Sequence, residues 1–168
     1  DYTITGATAS GFDTISWSSA TGGTFSNATT LTPTYTPTAS DISLGSVTLT
    51  LTASSVAPCA GTVTDEMLLT IQSQPDVQAG SNVTICEGDT VSTNDATVTG
   101  ASLTTWSTTN GTGTFDNINL VNTTYTPSQQ DIDDGFVTLV LTAKPIAPCT
   151  TPITDSIEIT IDQPAEIT

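Results

Sequence analysis

The sequence predicts an all-β protein, built as β-sandwich repeats of about 89 residues in tandem. Three observations point that way. Thr is the commonest residue, 39 of 168, while Lys and Arg together number 1, so β-branched residues dominate and most strong helix formers are scarce. Apolar residues alternate with Thr over several short runs, which is the period of a half-buried strand. Long stretches also recur in register, the signature of an internal repeat.

Taken in chain order, the repeat begins at Trp17, which returns as Trp106 on an early strand and suits a sandwich core. Gly23-Thr24-Phe25 returns as Gly113-Thr114-Phe115, with a one-residue insertion near Gly111 separating the copies. Thr34-Tyr35-Thr36-Pro37 matches Thr124-Tyr125-Thr126-Pro127, which places Tyr35 and Tyr125 at a turn. Asp41-Ile42 with Gly45, and Asp131-Ile132 with Gly135, read as a turn that Asp opens and Gly closes. In the following strands Val47, Leu49, Leu51 and Ala53, or Val137, Leu139, Leu141 and Ala143, share one face. Ala57-Pro58-Cys59 and Ala147-Pro148-Cys149 end them, and Met67/Leu69/Ile71 and Ile157/Ile159/Ile161 alternate in the last strand. Gln74-Pro75 returns as Gln163-Pro164, which sets the period.

These periods divide the chain into a repeat at 1–74 that begins in mid-unit, a complete repeat at 75–163, and the start of a third at 164–168. Copy two opens with residues 75–91, for which copy one has no counterpart. About seven strands per unit, separated by Gly, Pro, Asn or Asp turns, suit an immunoglobulin-like sandwich. An immunoglobulin corner would place Tyr and Cys where this chain has Val137 and Leu139, so the usual corner and inter-sheet bridge are missing.

The formal charge is −16, with 17 acids and no histidine. Such a charge repels nucleic acid and anionic membranes. No apolar run reaches the roughly 18 residues of a membrane span, so no membrane insertion is expected. Without a histidine base, and with acids placed at turns and strand ends, enzymatic chemistry finds no footing.

Of the three cysteines, Cys86 and Cys149 fall near the start and end of one unit and form the natural pair. Cys59 occupies the same repeat position as Cys149, and its partner is expected upstream of Asp1. A bridge closing about 63 residues would contribute about 4 kcal/mol on the chain-entropy model, and it implies an oxidising, extracellular setting. Buried free thiols are the competing reading. Asp131, Asp133 and Asp134 offer hard oxygen ligands for calcium, with Glu87 and Asp89 as a second acidic pair. Copy one keeps Asp41 but has Ser43 and Leu44 at the other two positions, so turn chemistry competes with a metal and no obligatory cofactor is expected. Thr at alternate positions in 48–52 matches ice-binding arrays, but Val140 interrupts the second copy and an ordinary outward strand face explains both.

Val-Thr-Ile-Cys-Glu-Gly (83–88), Trp-Ser (106–107), Gly-Thr-Phe (113–115), Thr-Tyr-Thr-Pro (124–127), Asp-Ile-x-x-Gly (131–135), Val-Thr-Leu-x-Leu-Thr-Ala (137–143) and Ala-Pro-Cys (147–149) together resemble one known repeat type. It is that of the giant cell-surface adhesins of the Bacteroidetes, nearest to the gliding-motility adhesins. The resemblance implies type IX secretion, attachment at the outer membrane surface and a filament of immunoglobulin-like units. The implied partners are neighbouring repeats of the same chain and, through other parts of the protein, the motility and secretion machinery and an external surface or polysaccharide. It also implies the phylum's O-glycosylation signal, which occurs at Asp13-Thr14-Ile15, Asp89-Thr90-Val91 and Asp155-Ser156-Ile157, making Thr14, Thr90 and Ser156 the acceptors. The expected role is a stalk segment of a filamentous adhesin, the alternative a polysaccharide-binding module of a secreted protein.

Overall fold

A computed structural model describes residues 1–164. The chain forms two compact units, one spanning Asp1–Ser73 and the other running from Gln74 onward. The expected start of a third repeat lies, past Pro164, outside the described residues.

The first unit contains β1 (Tyr2–Thr3), β2 (Phe12–Ser19), β3 (Thr24–Ser26), β4 (Thr34–Thr36), α1 (Ala39–Leu44), β5 (Ser46–Ser55) and β6 (Thr62–Thr70). One layer is the antiparallel sheet β2-β5-β6, the other β1-β4-β3. The second unit contains β7 (Asp76–Gln78), β8 (Val83–Cys86), β9 (Val91–Ser92), β10 (Thr97–Thr99), β11 (Ala101–Thr108), β12 (Thr114–Phe115), β13 (Thr124–Thr126), α2 (Gln129–Asp134), β14 (Phe136–Pro145) and β15 (Ile153–Asp162). Its main sheet runs β11-β14-β15-β8, opposed by β12-β13-β9, with β7 and β10 as a separate ribbon. Each unit is an immunoglobulin-like β-sandwich. The short strands β9, β10 and β12 explain why the second unit has more strands than the expected seven: each spans only two or three residues, too few to show alternation.

The alternating pattern is realised in the core. Val137, Leu139, Leu141 and Ala143 are fully buried along β14, while Thr138, Val140 and Thr142 on its other face are half-buried. Trp106 lies opposite Leu141 in the β11–β14 pairing, as Trp17 lies opposite Leu51 in β2–β5. Both indole nitrogens donate to backbone carbonyls, Trp17 to Thr30 at 3.1 Å and Trp106 to Val121 at 2.9 Å. The large aromatic body is thus buried with its one donor satisfied. Phe25 and Phe115 complete each core by bridging Trp to Tyr, 4.8 Å from Tyr35 and Tyr125 respectively.

Two expectations change. The Asp–Gly turn is a helix of six residues in each unit. Thr38 or Ser128 caps it, Asp41 or Asp131 stands at the third helical position, and Gly45 or Gly135 ends it at φ 72° or 77°. That left-handed conformation is the one a glycine adopts without a Cβ penalty.

The second change concerns the cysteines. Cys86 lies beside Asp162 at the end of β15, through the parallel pairing with β8. Cys149 lies in the β14–β15 connection, four residues before β15 begins at Ile153. The length of β15 separates the two, roughly 30 Å at ~3.3 Å per residue. A disulfide needs Cα atoms within about 7 Å, so the Cys86–Cys149 bridge within one unit does not form. Spacing in sequence suggested a staple because it ignored which end of the sandwich each residue reaches.

Candidate functional site

The most elaborate polar arrangement in each unit is built on the helix-capping aspartate. Ser128 leaves β13 with extended backbone and accepts from the Asp131 amide at 3.2 Å, while Asp131 Oδ2 accepts from the Ser128 amide at 2.9 Å. This reciprocal pair is a capping box, here with Asp in the reaching position. The box turns the Asp131 carboxylate inward, where the side chain is 1 % exposed. Tyr125, fully buried, donates its hydroxyl to Asp131 Oδ2 at 2.7 Å. The Gly113 amide donates to the same oxygen at 3.1 Å and the Thr112 amide to Oδ1 at 2.9 Å. One carboxylate therefore ties together β13, the N-terminus of α2 and the loop before β12.

The first unit repeats the node with two changes, one of them the absence, among the described residues, of a Gly23 amide bond matching that of Gly113. Tyr35 donates to Asp41 Oδ2 at 2.8 Å and the Thr38 amide to the same oxygen at 2.7 Å. On Oδ1 the donor is the hydroxyl of Thr21, where the second unit uses a backbone amide. The one-residue insertion near Gly111 re-routes that loop, and the carboxylate finds a different donor in the same place.

Electrostatics follow from the donors. The Thr21 hydroxyl, with those of Thr38 and Tyr35 and the Thr38 amide, outweighs burial and holds Asp41 down at about 2. Burial pushes Asp131 up, but the Tyr125 hydroxyl and the Ser128 and Thr112 amides overcome it and leave the carboxyl below its ordinary value. Burial, then the hydrogen bond and charge of Asp131, push the Tyr125 phenol well above its usual range. Both aspartates are thus held in their charged form by the donors around them. The arrangement fixes a corner and offers no proton to transfer.

The structure does not bring the three calcium candidates together. Asp131 is turned inward with both oxygens occupied by N–H and O–H donors. Asp133 and Asp134 are exposed on α2, accepting from Gln129 at 2.9 Å and Gln130 at 3.4 Å. Asp89 accepts from the Cys86 amide at 3.2 Å. Among the described residues no group of three or more acidic, histidine or cysteine side chains gathers as a metal site. Thr14, Thr90 and Ser156, the acceptors expected from the resemblance, are all exposed, Thr14 on β2, Thr90 after β8 and Ser156 on β15 opposite Val140.

Sequence reasoning missed the Tyr–Asp bond, though its signal is present. Both copies carry Tyr-Thr-Pro followed by Thr or Ser and, three residues later, Asp. Ser or Thr three residues before an acidic residue is a helix-cap signature, and Tyr stands six residues before the Asp in both. No helix among the described residues is long and apolar enough to cross a membrane.

No family model matches the sequence, and no curated protein matches it. Among solved structures, mouse cadherin-23 EC22-24 aligns with 88% of this chain at 14% identity and a TM-score of 0.48. The human desmocollin-1 ectodomain covers 90% at 12% identity and 0.46, and human mucin-like protocadherin EC1-2 covers 90% at 9% identity and 0.40. The chain spans about half the length of the cadherin-23 structure, 53%, and 35% and 86% of the other two. By its own strand order and register, this chain is a tandem of immunoglobulin-like β-sandwiches.

Proposed function

We propose that the chain is a non-catalytic stalk segment of a filamentous bacterial cell-surface adhesin, whose work is to span distance and carry tension. One observation carries the mechanical part. In the second unit β8, near the start, pairs in parallel with β15, the last strand, in the register Val83–Ile159, Thr84–Thr160, Ile85–Ile161 and Asp162–Cys86. Tension applied through the ends of such a unit pulls these two strands in opposite directions along their length. All the bonds between them are then loaded at once in shear, instead of opening one at a time. The aromatic residues support the same reading, because Trp, Phe and Tyr are stacked inside both cores. Among the described residues that leaves only Tyr2 and Phe136 as strongly exposed rings, a poor platform for a sugar. The resemblance of the repeats to gliding-motility adhesins supports the finer reading: type IX export, attachment at the outer membrane surface and O-glycosylation at Thr14, Thr90 and Ser156.

Force spectroscopy tests the proposal. The second unit, pulled through residues 75 and 163, should resist more force than when pulled open at the β14–β15 hairpin through positions 144 and 153. Equal or lower resistance end to end would remove the mechanical argument. Saturable binding of the chain on a glycan array would favour the polysaccharide-binding alternative.

A further inference from the structure

We propose that Asn110 is a site of spontaneous modification: its side-chain amide is displaced by the backbone nitrogen of Gly111, and the product loosens the Asp131 corner. The inference concerns the second unit alone and is independent of the stalk reading. Of the seven asparagines, only Asn110 precedes a glycine, whose lack of a Cβ leaves the backbone nitrogen open for attack. Asn110 is also exposed, in the loop between β11 and β12.

Two features of that loop favour the reaction. Among the described residues no acceptor takes the Gly111 amide, so the attacking nitrogen is uncommitted. The carbonyl under attack is already polarised, because Asn110 Oδ1 accepts from the Thr138 amide at 2.8 Å and the Thr109 hydroxyl at 3.4 Å. As the nitrogen adds to Cγ, negative charge develops on Oδ1, where a fixed N–H donor stabilises it. Asp134-Gly135 provides the contrast. Its sequence permits the same cyclisation, but the Gly135 amide is tied to the carbonyls of Asp131 at 3.0 Å and Ile132 at 3.1 Å.

The chemistry needs only water. The Gly111 nitrogen gives up its proton and bonds to Asn110 Cγ, the Cγ–Nδ2 bond breaks, and ammonia leaves with that proton. One water then opens the cyclic imide. Cleavage at Cγ leaves an ordinary aspartyl link, and cleavage at the main-chain carbonyl leaves an isoaspartyl link one backbone carbon longer. Either product adds one negative charge. The surroundings have no slack for the longer chain. A Cβ on Gly111 would run into Val137 Cγ2 and the Tyr125 hydroxyl, and the Gly111 carbonyl accepts from the Thr108 hydroxyl at 2.7 Å. The next two amides, of Thr112 and Gly113, are those that hold Asp131, so an added carbon before them draws both away. The first unit has Thr21-Gly22 in this loop and no asparagine, so ageing acts on one unit and spares the other.

The test incubates the 168-residue chain at neutral pH for several weeks, folded or in urea, and maps its peptides by mass spectrometry with an isoaspartate assay. Amide loss at Asn110 should be at least tenfold faster than at any other asparagine, and no slower in the folded chain than in urea. Asp134 should stay unchanged in the folded chain. Urea unfolding followed by Trp106 in a Trp17→Phe background should show a lower midpoint for the aged chain. Asn110→Asp keeps an acceptor for Thr138 and the normal backbone, so it should match the fresh chain. Amide loss confined to urea, or spread evenly over the asparagines, overturns the proposal. So does an aged chain rich in isoaspartate at position 110 that unfolds at the midpoint of the fresh one.

Discussion

Replacing Asp131 by Ala isolates what the buried corner contributes. The substitution removes one carboxylate and strands three donors, the Tyr125 hydroxyl and the amides of Ser128 and Thr112, while the Gly113 amide keeps the Tyr125 hydroxyl oxygen at 3.0 Å. A buried donor left without a partner costs about 1–3 kcal/mol, and a hydrogen bond to a charged group is worth about 1.5–3 kcal/mol. Water can reach the exposed Thr112 more easily than the Tyr125 hydroxyl, and such losses are not additive. The expected destabilisation is therefore about 3–5 kcal/mol, a large share of the 5–15 kcal/mol typical of a domain. Tyr125→Phe removes a single donor and leaves the carboxylate its three amides, so about 1–2 kcal/mol is expected. The double variant should be no worse than Asp131→Ala by more than about 0.5 kcal/mol, because the hydroxyl's partner is already gone. The assay is urea unfolding followed by Trp106 fluorescence in a Trp17→Phe background, which reads the second unit alone. A loss below about 1 kcal/mol for Asp131→Ala, or full additivity in the cycle, would refute the reasoning.

Acid should weaken both units through the same residues. Asp41 falls from 3.8 to about 2 on folding and Asp131 also falls, so each contributes stability above about pH 4 that is lost as pH drops through its folded value. Chemical unfolding between pH 5 and 2 should show this decline, and Asp131→Asn should flatten it for the second unit. Gly135→Ala places a β-carbon at φ 77° in open surroundings and should cost about 1–2 kcal/mol by the same unfolding assay. In Gly113→Ala the new β-carbon meets the Tyr125 ring and the Thr126 carbonyl, with about 1–3 kcal/mol expected from crowding, read in a thermal melt. A chelator should leave the melting temperature within about 1 °C, since Asp133 and Asp134 accept from glutamines while Asp131 is turned inward onto N–H and O–H donors.

The fold was legible where residues alternate and repeat. The β14 face and the two tryptophans sit where period and recurrence place them, because a strand of ten residues carries enough alternation to be unambiguous. The capped helices were not seen, since a helix of six residues, under two turns long, has no amphipathic period of its own and its stability comes from the Ser128 cap and the Tyr125 contact. The Asp131–Asp133–Asp134 cluster left calcium and turn chemistry as competing readings for a related reason. Sequence shows that three acids are near one another, but a helix turns the first inward and the other two out. The cysteine pairing failed on topology. Sixty-three residues of chain say nothing about which pole of a sandwich each end reaches, and only the register of β8 with β15 decides that.

That register also sets a timetable. Val83 meets Ile159, so the edge of β8 has no neighbour in the main sheet until the strand 76 residues later has been made. At roughly 5–20 residues per second of synthesis, the wait is about 4–15 seconds. Every other long pairing in that sheet, β14 with β15 and β11 with β14, joins segments that are closer along the chain. The unit therefore closes with its last strand, and a nascent chain held up anywhere before Ile153 leaves β8 exposed, open to recruitment by chaperones or to mispairing.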